Sequence, residues 1–196
     1  MSMDAPYPVT VEGVLDPGLS RWLWLFKLIL IIPHIFVLAF LWVALVIVTA
    51  VAFFGILFTG RYPRGIFDFN VGVLRWTWRV SYYSFGALGS DRYPPFSLKP
   101  ADYPATLEVE YPEQLSRGLV LVKWWLLAIP HYLILSVVQD GLNGLLVFFA
   151  AVGLLFTGRY PKDIFELVIG INRWTLRVMA YALLMRDEYP PFRLGP

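Results

Sequence analysis

Nearly every motif in this 196-residue chain occurs twice, 96 to 98 residues apart. Tyr7-Pro8 with Thr10 and Glu12 returns as Tyr103-Pro104 with Thr106 and Glu108. Lys27 returns as Lys123, and Pro33-His34 as Pro130-His131. Leu57-Phe58-Thr59-Gly60-Arg61-Tyr62-Pro63 returns as Leu155-Phe156-Thr157-Gly158-Arg159-Tyr160-Pro161. Arg75-Trp76-Thr77 and Tyr93-Pro94-Pro95-Phe96 return as Arg173-Trp174-Thr175 and Tyr189-Pro190-Pro191-Phe192. A repeat this dense constrains the fold more than any other feature, because whatever one half builds the other half must build too.

Composition decides the solvent. Hydrophobic residues make up 58% of the chain and charged residues 15%, against about 45–50% and about 25% in globular proteins. Aromatics reach 17%, with eight Trp, a density suited to a membrane interface. The net charge of +2 and the absence of cysteine leave no disulfide framework and no thiolate chemistry. The stretch before Gly18 carries Asp4, Glu12 and Asp16 without a basic lead, so it does not read as a signal peptide and the first apolar helix is expected to stay in the mature protein.

Each unit opens with a segment alternating at period two, Val9–Val14 and Ala105–Glu110, which predicts short strands able to pair with one another. The apolar stretch Trp22–Phe58 follows. Its 37 residues would form a helix of about 55 Å, too long for a hydrocarbon core of about 30 Å. Gln139-Asp140-Gly141-Leu142-Asn143-Gly144 is a turn signal in the second copy. It predicts helical hairpins of Arg21–Val43 with Leu45–Phe58, and Arg117–Val138 with Leu142–Phe156. A break at the Pro-His pairs is the rival division. It is disfavoured because it leaves Asp140 near mid-membrane, at a cost of about 2.5–3.5 kcal/mol.

Thr-Gly-Arg-Tyr-Pro is expected to end each hairpin, with Gly60 and Gly158 left-handed and Pro63 and Pro161 barring continuation. Beyond it, Gly65–Leu88 and Lys162–Met185 place Asp68, Arg75 and Arg79, or Glu166, Arg173 and Arg177, near one helical face. These predict interfacial amphipathic helices. The basic residues flank the hairpin base, so that side is expected in the cytoplasm, with the copies parallel about a two-fold along the membrane normal.

The predicted fold class is therefore all-α integral membrane with two tandem units, 1–98 and 99–196. Each unit is a transmembrane helical hairpin (21–58, 117–156) plus an amphipathic interfacial helix (65–88, 162–185), with short extended or β arms on the cytoplasmic side.

Few residues point to chemistry. His34 and His131 are the only histidines and match between the copies. If they faced each other they would suit a haem, whereas the plainer role is a hydrogen bond between helices at a proline kink. Lys27 and Lys123 read as snorkelling cations or as contacts to an anion. Arg61, Arg75, Arg79, Arg159, Arg173 and Arg177, with Arg64, read as an anionic-lipid surface or as topology signals. Tyr-Pro-Pro-Phe reads as a packed chain exit more readily than as a polyproline ligand. No phosphate loop, dinucleotide fingerprint, zinc-protease motif or nucleophile elbow occurs.

The paired Pro-His, Phe-Thr-Gly-Arg-Tyr-Pro, Arg-Trp-Thr-x-Arg-Val and Tyr-Pro-Pro-Phe elements resemble the bacterial membrane family called domain of unknown function 4389, over nearly the whole chain. The resemblance implies a bacterial cytoplasmic-membrane location and transfers no catalytic residue.

The expected function is a non-enzymatic scaffold or accessory subunit that binds lipid or a larger membrane complex. It is expected to be multi-pass with both termini cytoplasmic and to assemble as a homo-oligomer or within a complex. No catalytic residue, metal or cofactor is predicted, and nucleic acid is excluded because the basic residues border apolar spans. The alternatives are a small transporter or channel between the halves, and a bis-His haem or metal subunit.

Overall fold

The computed structural model describes residues 7–195. The first six residues of unit 1, Asp4 among them, and Pro196 at the end of unit 2 lie outside the described residues. The chain is mostly helical with one small sheet. Unit 1 contains β1 (Val9–Gly13), α1 (Trp24–Leu30), α2 (Ile32–Thr59) and α3 (Arg64–Tyr83). Unit 2 contains β2 (Ala105–Val109), α4 (Leu119–Val122), α5 (Ile129–Val137), α6 (Gly144–Thr157) and α7 (Lys162–Ala182). Two π-helical windings, Lys123–Leu127 and Val138–Asn143, join α4 to α6 into one helical run.

The alternating arms form the expected strands and pair antiparallel, with Val11 opposite Leu107. These two residues are 96 apart, which is the repeat spacing in the arms. The pair of equivalents therefore marks the two-fold that relates the units, standing normal to the sheet as antiparallel pairing requires. Val9, Val11, Ala105, Leu107 and Val109 are buried inward, while Thr10, Glu12, Thr106 and Glu108 face outward.

Three layers stack along this axis. The sheet lies on α3 and α7, and β2 of unit 2 covers α3 of unit 1 while β1 covers α7. On the far side of α3 lies α2, where Trp42 Nε1 donates to Thr77 Oγ1 (3.1 Å) and Asn70 Nδ2 to Thr49 Oγ1 (2.9 Å). Residue numbers rise along α2 as they fall along α3, so the two run antiparallel. Gly60, at φ 72°, and Pro63 make the turn between them. The hairpin expected inside Trp22–Phe58 is corrected accordingly. No turn occurs at Val43–Leu45, the helix is broken only at Ile31 before Pro33, and Thr-Gly-Arg-Tyr-Pro is itself the turn of an α2–α3 hairpin.

The interfacial helices are also corrected. α3 and α7 form the middle layer and are largely buried, because the strands and the tails 93–100 and 189–195 cover the polar faces that looked solvent-exposed. The two-fold also sets the relative direction of the long helices. At one end of the molecule Leu115 N donates to Gly60 O (2.8 Å) and Tyr62 Oη to Leu183 O (3.2 Å). At the other, Lys27 Nζ donates to Ser90 O (2.7 Å), Tyr160 Oη to Ala87 O (2.9 Å), and Arg21 packs on Gly158. The long helix of unit 1 thus starts where that of unit 2 ends, and the two run in opposite directions.

The π windings explain the drift in repeat spacing. The spacing is 96 at Lys27/Lys123, 97 at Pro33/Pro130 and 98 at Leu57/Leu155. Each step is one residue inserted into unit 2, and each insertion falls beside or within a π winding that absorbs it without rotating the flanking helix. Gln139–Gly144 reads as a turn in sequence but stays helical. Gln139 accepts from Thr175 Oγ1 (3.0 Å), and Asn143 Nδ2 donates to Gly86 O (3.1 Å). Deleting Gly141, whose Cβ position is open, should convert the winding to α-helix and leave the yield of folded protein near wild type. Deleting Phe148, with no winding to absorb the change, should abolish it.

Candidate functional site

Both histidines sit in matching aromatic boxes, each within its own unit and each fully buried. The His34 ring stacks on Phe96 (3.8 Å between centroids, 15°), with Tyr93 tilted at 4.9 Å and Trp76 edge-on. His131 repeats this with Phe192 (4.2 Å, 17°), Tyr189 and Trp174. Trp76 Nε1 donates to His34 Nδ1 (3.0 Å) and Trp174 Nε1 to His131 Nδ1 (3.1 Å). Because indole only donates, Nδ1 is the acceptor and the neutral ring carries its proton on Nε2. Neither nitrogen then keeps a lone pair for a metal, and neither Nε2 has a partner among the described residues. The boxes also place Tyr-Pro-Pro-Phe, whose rings wall the imidazole as the chain leaves each unit.

Lys27 and Lys123 are buried latches. Lys27 Nζ lies 2.9 Å from Asp91 Oδ1 and 4.7 Å from the Tyr83 ring centroid. Lys123 Nζ lies 2.7 Å from Asp187 Oδ1 and donates to Arg186 O (3.0 Å). The other oxygen of each carboxylate accepts from a backbone N–H, that of Ser20 or of Ser116. One carboxylate thereby pins the start of a long helix to the segment that leaves the middle layer.

The middle-layer arginines are spent on carbonyls. Arg75 donates to Leu107 O (3.2 Å), Leu98 O (3.1 Å) and Glu108 Oε2 (2.8 Å), and Arg173 to Val11 O (3.0 Å) and Leu194 O (2.8 Å). In the arms, odd-numbered residues turn their peptide groups outward, as the even pairs Pro8–Glu110 and Val14–Pro104 bond across the ladder. Arg75 and Arg173 therefore plug the outer carbonyls of both sheet edges, each reaching the other unit's strand. Arg79 donates to Ser97 O and Lys99 O, and Arg177 to Gly195 O. Burial, with Arg75 beside it, lowers the Arg79 pKa. Burial, with Arg173 and Arg193 nearby, lowers that of Arg177 to about 10.

Two equivalent open grooves flank the sheet. One, of about 390 Å³, holds Arg64, Asp68, Arg75, Lys99 and Glu108. The other, of about 580 Å³, holds Asp163, Glu166 and Arg173. Repeat equivalence does not extend to charge, since basic side chains outnumber acidic ones in the first groove and the reverse holds in the second.

Arg61 and Arg159 stand apart from the other sequence candidates. They are exposed at the ends of the long helices, and their only hydrogen bonds among the described residues are made by the backbone. Sequence reasoning missed their neighbours Arg117 and Arg21, because the contact that brings them close crosses between the units.

The apolar surface is concentrated in one layer. Exposed large hydrophobic side chains all belong to the runs Trp22–Phe58 and Leu121–Phe156, apart from Val14, Tyr93, Phe96, Leu167, Tyr189 and Phe192. Both runs are long and apolar enough to cross a membrane by length and composition, and only 17% of the most apolar part of α2 is buried. The architecture is that of a duplicated, two-fold helical protein with one apolar outer layer. Residues 21–97 and 120–193 match the family described as Domain of unknown function (DUF4389), and the chain belongs to that family, carrying two tandem copies. No curated protein and no solved structure matches it.

Proposed function

We propose that this protein is a non-enzymatic scaffold embedded in one leaflet of a bacterial cytoplasmic membrane. The layer formed by α1–α2 and α4–α6 lies in the lipid, and the sheet faces the cytoplasm. The observation that carries this reading is the segregation of exposed apolar side chains into that single layer, on helices that bury little of themselves. A core helix of a soluble protein would bury most of its apolar surface, and patches this large mark an interaction with lipid or protein.

The sheet supports a flat placement of the layer. Its outward Thr10, Glu12, Thr106 and Glu108 lie at mid-length of the long helices, and the Glu108 side chain is 61% exposed. If those helices stood upright, these carboxylates would meet hydrocarbon, at a cost of roughly 2.5–3.5 kcal/mol for an acid at the centre. Upright, α2 alone would be about 42 Å long at helical rise, well beyond a hydrocarbon core of about 30 Å. Lying flat removes both penalties. The two-fold then stands along the membrane normal because the layers stack along it. The water-facing sheet and its two grooves are the surfaces offered to a partner complex.

The absence of cysteine makes the test direct. Arg61→Cys and Arg159→Cys, at opposite ends of the long helices, should both react with an impermeant maleimide from the cytoplasmic side and neither from outside. Labelling of the two from opposite sides would show that the helices cross, and would favour the transporter or channel reading.

A further inference from the structure

The two ends of the apolar layer carry matching pairs of arginines, one from each unit. At one end the guanidinium of Arg21 lies against Gly158, where a Cβ would come within 2.7 Å of its Nε, and Arg159 is the next residue. At the other, Arg117 Nε lies 3.6 Å from the Cβ position of Gly60, and Arg61 is the next residue. All four are exposed. None makes a side-chain hydrogen bond or ion pair among the described residues, whereas Arg75, Arg79, Arg173, Arg177, Lys27 and Lys123 are taken up by protein acceptors.

We propose that each pair is a binding site for the phosphate of an anionic lipid headgroup, built only when the two units meet. The helix C-terminus accounts for one cation at each end, since the last carbonyls of α2 and α6 attract positive charge. It does not account for the second. The second cation has no ion-pair partner among the described residues, and each guanidinium presents five donors in a fork that matches phosphate oxygens. Trp22, Trp124 and Trp125 are exposed in the same helix starts, and their amphipathic rings suit headgroup depth. The occupant is a lipid rather than a free anion because each pair borders the apolar layer directly.

This proposal rests on the membrane reading, and the test separates the two. Full-length protein in a neutral detergent is titrated with phosphatidylglycerol, phosphatidylcholine or inorganic phosphate, and Tm is followed. Phosphatidylglycerol should raise Tm at the lowest concentration and phosphatidylcholine only at much higher ones. Inorganic phosphate should do nothing. Arg21→Gln with Arg159→Gln should weaken the phosphatidylglycerol response roughly fivefold per arginine, and Arg61→Gln with Arg117→Gln should do the same.

Lys99→Gln with Arg193→Gln, an equal charge loss elsewhere, should leave the response unchanged. An undiminished response in both double arginine variants, or an equal response to inorganic phosphate, overturns the site. Protein that stays dispersed without detergent and responds to no lipid overturns the membrane reading itself.

Discussion

Replacing Lys27 or Lys123 by Met should be among the most damaging single changes available, lowering stability by about 3–5 kcal/mol, the range for breaking a buried ion pair. Both lysine side chains are essentially inaccessible, at 1% and 0%, and each neutralises a carboxylate that also holds a backbone N–H. Removing the lysine leaves Asp91 or Asp187, only 20% or 24% exposed, with one partner gone. The damage should be partly relieved in Lys27→Met combined with Asp91→Asn, because no uncompensated charge then remains. Thermal unfolding of the singles and the double in detergent completes the cycle. A double as unstable as Lys27→Met alone would mean that packing of the lysine stem, rather than charge, holds the joint.

The second large effect is expected at Gly72 and Gly170. A Cβ on Gly72 would lie 2.8 Å from Leu98 Cβ and 3.0 Å from its carbonyl oxygen, and one on Gly170 would lie 2.7 Å from Leu194 Cβ. Backbone blocks both, so the tail must lift. Overpacking alone costs about 1–3 kcal/mol. The lifted tail also carries the carbonyls that satisfy Arg75 and Arg79, or Arg173 and Arg177. Each buried donor left unmatched adds about 1–3 kcal/mol. Gly72→Val should therefore cost several kcal/mol and open the segment around Lys99 to protease. Faster proteolysis there, with a lower Tm, is the expected pair of results. A normal Tm with a protected tail would show that the groove has slack.

The sequence carried some of these features openly and concealed others. The duplication, the paired strands and the left-handed glycines were readable because each depends on local chemistry: periodicity two in the arms, and Gly before Arg-Tyr-Pro at a helix end. The place of the hairpin was not. Trp22–Phe58 and Gln139–Gly144 invite a turn by length and by polarity, yet Gln139 accepts from Thr175 on α7 and Asn143 donates to Gly86 O, so tertiary bonding overrides the turn signal. The spacing drift from 96 to 98 did signal helical insertions, although it can be read that way only once the windings are seen. The arginines of α3 and α7 look like a wet face on a helical wheel. Tails of the same unit cover Arg79 and Arg177, and the other unit's strand reaches Arg75 from 32 residues further along the chain and Arg173 from 162 back, a lid no helical pattern records.

Exchange of strands between the halves bears on ancestry. Neither half can shield its own central arginine, since Arg75 needs Leu107 and Arg173 needs Val11. A lone ancestral half would have met this need by pairing with an identical molecule, and a dyad running through equivalent residues is the mark such a partnership leaves. Joined in one polypeptide, the halves are free of strict sameness. Trp42 and Gln139 now serve the same threonine position with different side chains, as befits twins no longer obliged to match.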